Sequence, residues 1–103
     1  FNSPRSALAH AHGAYCLAKK GLWELSIDLI RKHKLDENGL TPAQVQEMKE
    51  LYYKTASVLD LEKLYSDSVE IYMEIFKIDA DFMDVMKKIE IYDIYRKIKA
   101  QRS

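Results

Sequence analysis

The sequence predicts an all-α fold of about five helices, and three observations carry that expectation. Apolar residues recur at steps of three and four in five successive segments. No stretch alternates convincingly with the period of two that a half-buried strand would show. Only 3 Gly and 2 Pro occur among 103 residues, too few for the many turns of a sandwich or barrel.

Each helix has its own signals. Ser3-Pro4 opens the first, because Ser caps free amides and Pro suits the first helical position. Leu8, Ala11, Tyr15 and Ala18 form its apolar face, and Lys19-Lys20-Gly21 is a basic last turn with a left-handed terminator. The second runs from about Leu22 to Lys34 on Trp23, Ile27 and Ile30, with Leu22, Leu25 and Leu29 alongside. Asp36-Glu37-Asn38-Gly39 is a turn cluster, and Thr41-Pro42-Ala43-Gln44 reads as a capping box opening the third helix, from about Pro42 to Lys63. Its stripe is Val45, Met48, Leu51 or Tyr52, Thr55, and Val58 or Leu59. Ser66 or Asp67 is expected to cap the fourth helix, whose face is Val69, Tyr72, Ile75 and Phe76 and which ends near Ile78. Asp79 or Asp81 is expected to cap the fifth, from about Phe82 to Gln101.

Composition excludes several function classes. Lys and Arg total 16 and Asp and Glu total 16, so no long-range basic field favours generic binding to a phosphate backbone, and no nucleic-acid partner is expected. The longest uncharged stretch, residues 6–18, is far short of a bilayer span, so no membrane insertion is expected. The single cysteine rules out an internal disulfide framework and fits a reducing compartment, which makes the cytoplasm the default location. The first residue is Phe rather than Met, and the chain reads as a domain excised from a longer protein.

Neutrality hides a pattern. Residues 1–35 carry six basic and two acidic side chains, residues 36–84 four and twelve, and residues 85–103 six and two. An acidic block of net −8 thus lies between two basic blocks of net +4 each. If the ends fold onto the middle, attraction favours closure; if they do not, the ends are free to meet acidic partners.

Comparing the chain with itself aligns Gly21 to Ile30 with Lys63 to Tyr72, at an offset of 42 residues. Trp23 matches Tyr65, Ser26 matches Ser68, Ile27 matches Val69 and Ile30 matches Tyr72. Removing the roughly eight-residue insertion around Asp36 to Pro42 leaves about 34, the tetratricopeptide period. Tyr52, Ala56 and Leu59, then Tyr65, Ser68, Tyr72 and Ile75, resemble the bulky and small positions of that repeat family, whereas Lys63 and Ala80 stand where it favours Gly and Pro. The resemblance implies antiparallel helix pairs in a right-handed array: one repeat over about 7–35, a loop over 36–41, a second repeat over 42–79, and a capping helix over 82–101, forming a single domain. Other antiparallel arrays and a plain five-helix bundle also fit the helix pattern. The fifth helix is unusually apolar for a cap, so either it packs deeply or part of it is a contact surface for another chain.

Chemistry-bearing motifs are absent or weak. His10, His12 and Cys16 lack the further ligands of a closed metal site. Asp79, Asp81, Asp84 and Glu90 have a calcium-loop spacing, but Met83 and Asp84 stand where an oxygen ligand and a Gly are required. No phosphate loop, nucleophile elbow or catalytic triad is recognisable, so neither enzymatic activity nor a cofactor is expected. Seven Tyr against three Phe favour half-buried recognition surfaces, since tyrosine has an apolar body and a polar tip.

The resemblance implies a groove lined by the first helix of each repeat. It places Tyr15, Lys19, Tyr53, Lys54, Lys87, Lys88 and Tyr95 along one wall, the tyrosines supplying contact area and the lysines selecting an acidic protein or peptide. Where one branch of the family clamps chaperone tails with Lys and Asn, the corresponding positions hold Ala11, Tyr15, Lys54, Asp84 and Lys88; the paired Asn are absent and an acid replaces one Lys, so that partner is not expected. The sequence therefore suggests a protein-interaction module, or alternatively a homodimerisation module built on the apolar fifth helix.

Overall fold

A computed structural model describes residues 4–32 and 38–102, and these form five α-helices. They are α1 (Pro4–Lys19), α2 (Trp23–Lys32), α3 (Pro42–Leu61), α4 (Tyr65–Ile78) and α5 (Val85–Arg102), with no strand among the described residues. The expected Ser3 cap, the end of α2 beyond Lys32 and Asp36-Glu37 lie outside those residues. α1 packs along α2 and α3 along α4, each pair joined by three residues, so each pair is antiparallel. α1 also packs on α3, and α5 packs on α4.

The core sits among the first four helices. Among the described residues, those of α1 that are fully buried are small, Ala11, Ala14 and Ala18, which lets its backbone approach its neighbours closely, with Leu8 and Tyr15 half-buried beside them. Ile27 and Ile30 enter from α2; Met48, Leu51, Tyr52, Ala56 and Leu59 from α3; Val69, Ile71, Tyr72 and Ile75 from α4. Ser26 is fully buried and donates to the Ala14 carbonyl at 2.6 Å, so its hydroxyl is satisfied where α1 and α2 meet. Phe76, expected on the inner face, is instead on the outer side of α4 and 36% exposed. α4 turns Ile71 inward in its place.

The two helix pairs close in the same way. After α1, the Leu22 amide donates to Leu17 and Gly21 to Ala18. Forty-two residues on, Leu64 donates to Leu59 and Lys63 to Asp60. Both are Schellman-type terminators, and both need a left-handed residue, Gly21 at φ 82° and Lys63 at φ 62°. α3 opens on the capping box the sequence suggests: the Thr41 hydroxyl accepts from the Gln44 amide, and the Gln44 side chain accepts from the Thr41 amide.

Two helix starts differ from expectation. α4 begins at Tyr65, with Leu64 and neither Ser66 nor Asp67 at its cap, because the tight turn at Lys63 leaves the Leu64 carbonyl ready to accept from Ser68. α5 begins at Val85 rather than Phe82 and is capped by neither Asp79 nor Asp81. Burial of Phe82 in the core, followed by a left-handed Met83 at φ 46°, holds the chain in a turn there. Asp79 braces that turn, accepting from the Asp81 amide and from Lys49 at 2.8 Å.

Candidate functional site

The seven residues expected along one wall fall into separate neighbourhoods. Tyr15, Lys19 and Lys54 come together where α1 meets α3: the half-buried Tyr15 ring has Lys19 Nζ at 5.5 Å and Lys54 Nζ at 6.0 Å from its centroid. Both lysines are exposed, so this corner presents two cations beside an aromatic ring.

Tyr53 faces the chain's own interior. Its ring meets Tyr72 edge-on at 5.5 Å and Phe82 at 6.3 Å, and its hydroxyl donates to Asp84. Burial, followed by that bond and the charge of Asp84, pushes the Tyr53 phenol up to about 12. Lys87 is exposed on the first turn of α5.

Lys88 and Tyr95 lie in a third neighbourhood, a groove of about 400 Å³ between α4 and α5. Tyr65, Ser68, Val69 and Tyr72 form its α4 wall, and Lys88, Ile91, Tyr92 and Tyr95 its α5 wall, with Asp60 of α3 at its base. The packing of α5 on α4 accounts for it. Val85 is fully buried and Ile89 half-buried against the core, but beyond them tyrosines keep the helices apart. Tyr65 meets Tyr95 edge-on at 5.3 Å, and Tyr92 lies 6.2 Å from Tyr95.

The groove is mostly apolar, with one polar spot. Asp60 accepts hydrogen bonds from Ser68 and from Tyr72 at 2.9 Å, and Lys88 Nζ lies 3.8 Å from its carboxylate. Burial above all holds the Tyr72 phenol above the ordinary tyrosine range; the Ser57 hydroxyl 3.4 Å away opposes it, and the hydrogen bond to Asp60 and the charge of its carboxylate add to the rise. The carboxylate is thus satisfied by the protein itself. Lys88 is only loosely engaged and 34% exposed, which leaves donors for an acceptor entering the groove.

Of the groove residues, Lys88 and Tyr95 belong to the wall expected from the sequence, whereas Tyr65, Ser68 and Tyr72 stand at the bulky and small packing positions expected for the second helix pair. The available signal was Tyr65 and Tyr72 seven residues apart on one helix, facing Tyr92 and Tyr95 on the next.

His12 is hydrogen-bonded to Glu47 at 2.6 Å, tying α1 to α3, and no three metal-binding side chains converge among the described residues. No described helix is long and apolar enough to cross a membrane. No family model matches the sequence, and no curated protein or solved structure matches it either.

Proposed function

We propose that this chain is a non-catalytic protein-interaction module, acting in the cytoplasm, that binds a helix or extended segment of a partner protein or of its own parent chain. The observation that carries the reading is the tyrosine-lined groove between α4 and α5, mostly apolar with Lys88 at its polar spot. Tyrosine supplies large contact area at low entropic cost, and an apolar cleft with one charged group is the usual form of a recognition site. Lys88, with Lys99 held 5.8 Å from the Tyr95 ring centroid, favours a segment carrying an apolar anchor and an acidic neighbour. Lys19 and Lys54 around Tyr15, with Lys87, add positive charge for the same acidic partner. The repeated turns and the tetratricopeptide resemblance support the reading, since arrays of that kind bind peptides between helices.

A photo-crosslinking residue in place of Tyr92 tests it. In extract from the source cells, position 92 is expected to form a discrete adduct with another protein. Unlabelled wild-type chain should compete for that adduct, and a folded Tyr65→Ala chain should compete poorly. Adducts from position 25, on the outer face of α2, with none from position 92 would overturn the groove assignment.

Self-association is a second reading. The observation favouring it is the exposure of Ile91, Ile94 and Ile98 on α5.

A further inference from the structure

Along α5 the groove is edged by Lys88, Tyr92, Tyr95 and Lys99, at steps of four, three and four residues. Such steps keep all four on one side of the helix, so two tyrosines are bracketed by two lysines. The lysines are eleven residues apart, about 16 Å at the rise of an α-helix. Both keep donors available to a newcomer. Lys88 lies 3.8 Å from Asp60, whose two carboxylate oxygens already accept from Ser68 and Tyr72. Lys99 is exposed, with its Nζ 5.8 Å from the Tyr95 ring centroid.

The walls decide the conformation of what binds. Ser68 and Tyr72 spend their hydroxyl protons on Asp60, and the remaining walls are tyrosine rings, Val69 and Ile91 beside Lys88. No strand, and so no sheet edge, is present among the described residues. An extended segment laid in this groove would bury peptide N–H and C=O groups with too few partners. A helix satisfies its own, and its side chains recur at the same three- and four-residue steps as the α5 stripe.

We infer that the groove takes an amphipathic helix of a partner protein, with acidic residues at positions i and i+11 and apolar residues at i+4 and i+7. The apolar pair seats against Tyr92 and Tyr95, one acid meets Lys88, and the other meets Lys99. None of the five helices of this chain has acidic residues eleven apart, so a second copy does not supply the pattern. The inference rests on the groove reading given under the proposed function and specifies the partner of that site.

Fluorescence anisotropy with synthetic peptides and the full chain tests it. The probe is a labelled, alanine-based helical peptide of about 16 residues, with glutamate, leucine, leucine and glutamate at those four positions. It is expected to bind the wild type. Replacing both glutamates by lysine should weaken binding at least about tenfold, and so should a proline placed mid-helix on the outer face. Tyr65→Ala, shown to be folded by circular dichroism, should weaken it as well. Lys99→Glu, at an exposed position, should weaken it too, and a probe with one glutamate changed to lysine should recover binding to that variant. The glutamate whose change restores binding gives the direction of the helix. No binding of the glutamate probe, or equal binding of its lysine version, overturns the inference; a discrete adduct from position 92 in cell extract would still uphold the groove reading. Equal binding of the proline version replaces the helix by an extended segment. Binding unmoved by Tyr65→Ala puts the peptide outside the groove, and no recovery with either single-lysine probe overturns the pairing at both ends. A bound fraction that falls as the chain is concentrated means that a second copy fills the groove instead.

Discussion

Tyr53 shows how a residue with the composition of a contact can be committed to the fold. Its ring bridges Tyr72 of α4 and Phe82 of the α4–α5 connection, and its hydroxyl reaches Asp84. Removing it opens space under three elements at once, so Tyr53→Ala should cost about 3 kcal/mol in chemical denaturation, while Tyr53→Phe should cost about 1 kcal/mol. Its titration gives a second readout. The folded chain holds the phenol near 12, above the ordinary value of 10.0, so the neutral form is the one the fold favours. The associated stability is fully present below pH 10 and is lost as pH rises through about 12. Tyr53→Phe should therefore flatten the fall in melting temperature over that alkaline window. A Tyr53→Ala chain as stable as wild type would show that the ring is dispensable for packing and free to serve a partner.

At the scale of the element, the two Schellman turns make a controlled comparison within one chain. Gly21 and Lys63 occupy equivalent places 42 residues apart, and both are left-handed. Glycine adopts that conformation without the clash between Cβ and carbonyl that any other residue meets. Lys63→Gly should raise unfolding free energy by about 1 kcal/mol, and Gly21→Lys should lower it by a similar amount. Equal stability of Lys63→Gly and wild type would mean that the Lys63 side chain offsets the strain through contacts of its own. The helix ends also show what a sequence makes legible. The capping box at Thr41 and Gln44 is a local device, and it could be read from four consecutive residues. The start of α5 could not: it depends on Phe82 being drawn under Tyr53 and Lys49, a contact between residues about thirty positions apart. The groove was hidden for the same reason, because its walls are set by how far tyrosines on two helices hold them apart. Periodicity assigns Tyr72 to a face and the internal alignment sets Tyr65 against Trp23, but neither carries information on the gap beside them.

For the whole molecule, the division of charge and the division of packing coincide. Residues 4–32 are fastened to the acidic middle by the α1–α3 contact and by Arg31, which forks the Glu70 carboxylate at 2.8 and 2.9 Å and reaches Asp67 at 3.6 Å. The other basic block, α5, is fastened over its first half, from Val85 to the Tyr95–Tyr65 contact, and the molecule is long, 46 Å by 29 Å by 19 Å. Local stability should follow this division, because amide exchange is slowed by the free energy needed to open each segment. Amides of residues 52–59, in the helix that carries the deepest side chains, should exchange only through near-global unfolding. Those of residues 96–102 have intrahelical hydrogen bonds and little tertiary cover, so in dilute solution they should exchange orders of magnitude faster. The boundary should fall near Tyr92, the last α5 residue both half-buried and turned towards α4. Hydrogen exchange read by mass spectrometry on peptides from α3 and from each half of α5 would locate it. Protection of the last two turns equal to that of α3, in a sample shown to be monomeric, would mean that the acidic middle does hold the basic end down, leaving α5 no free face.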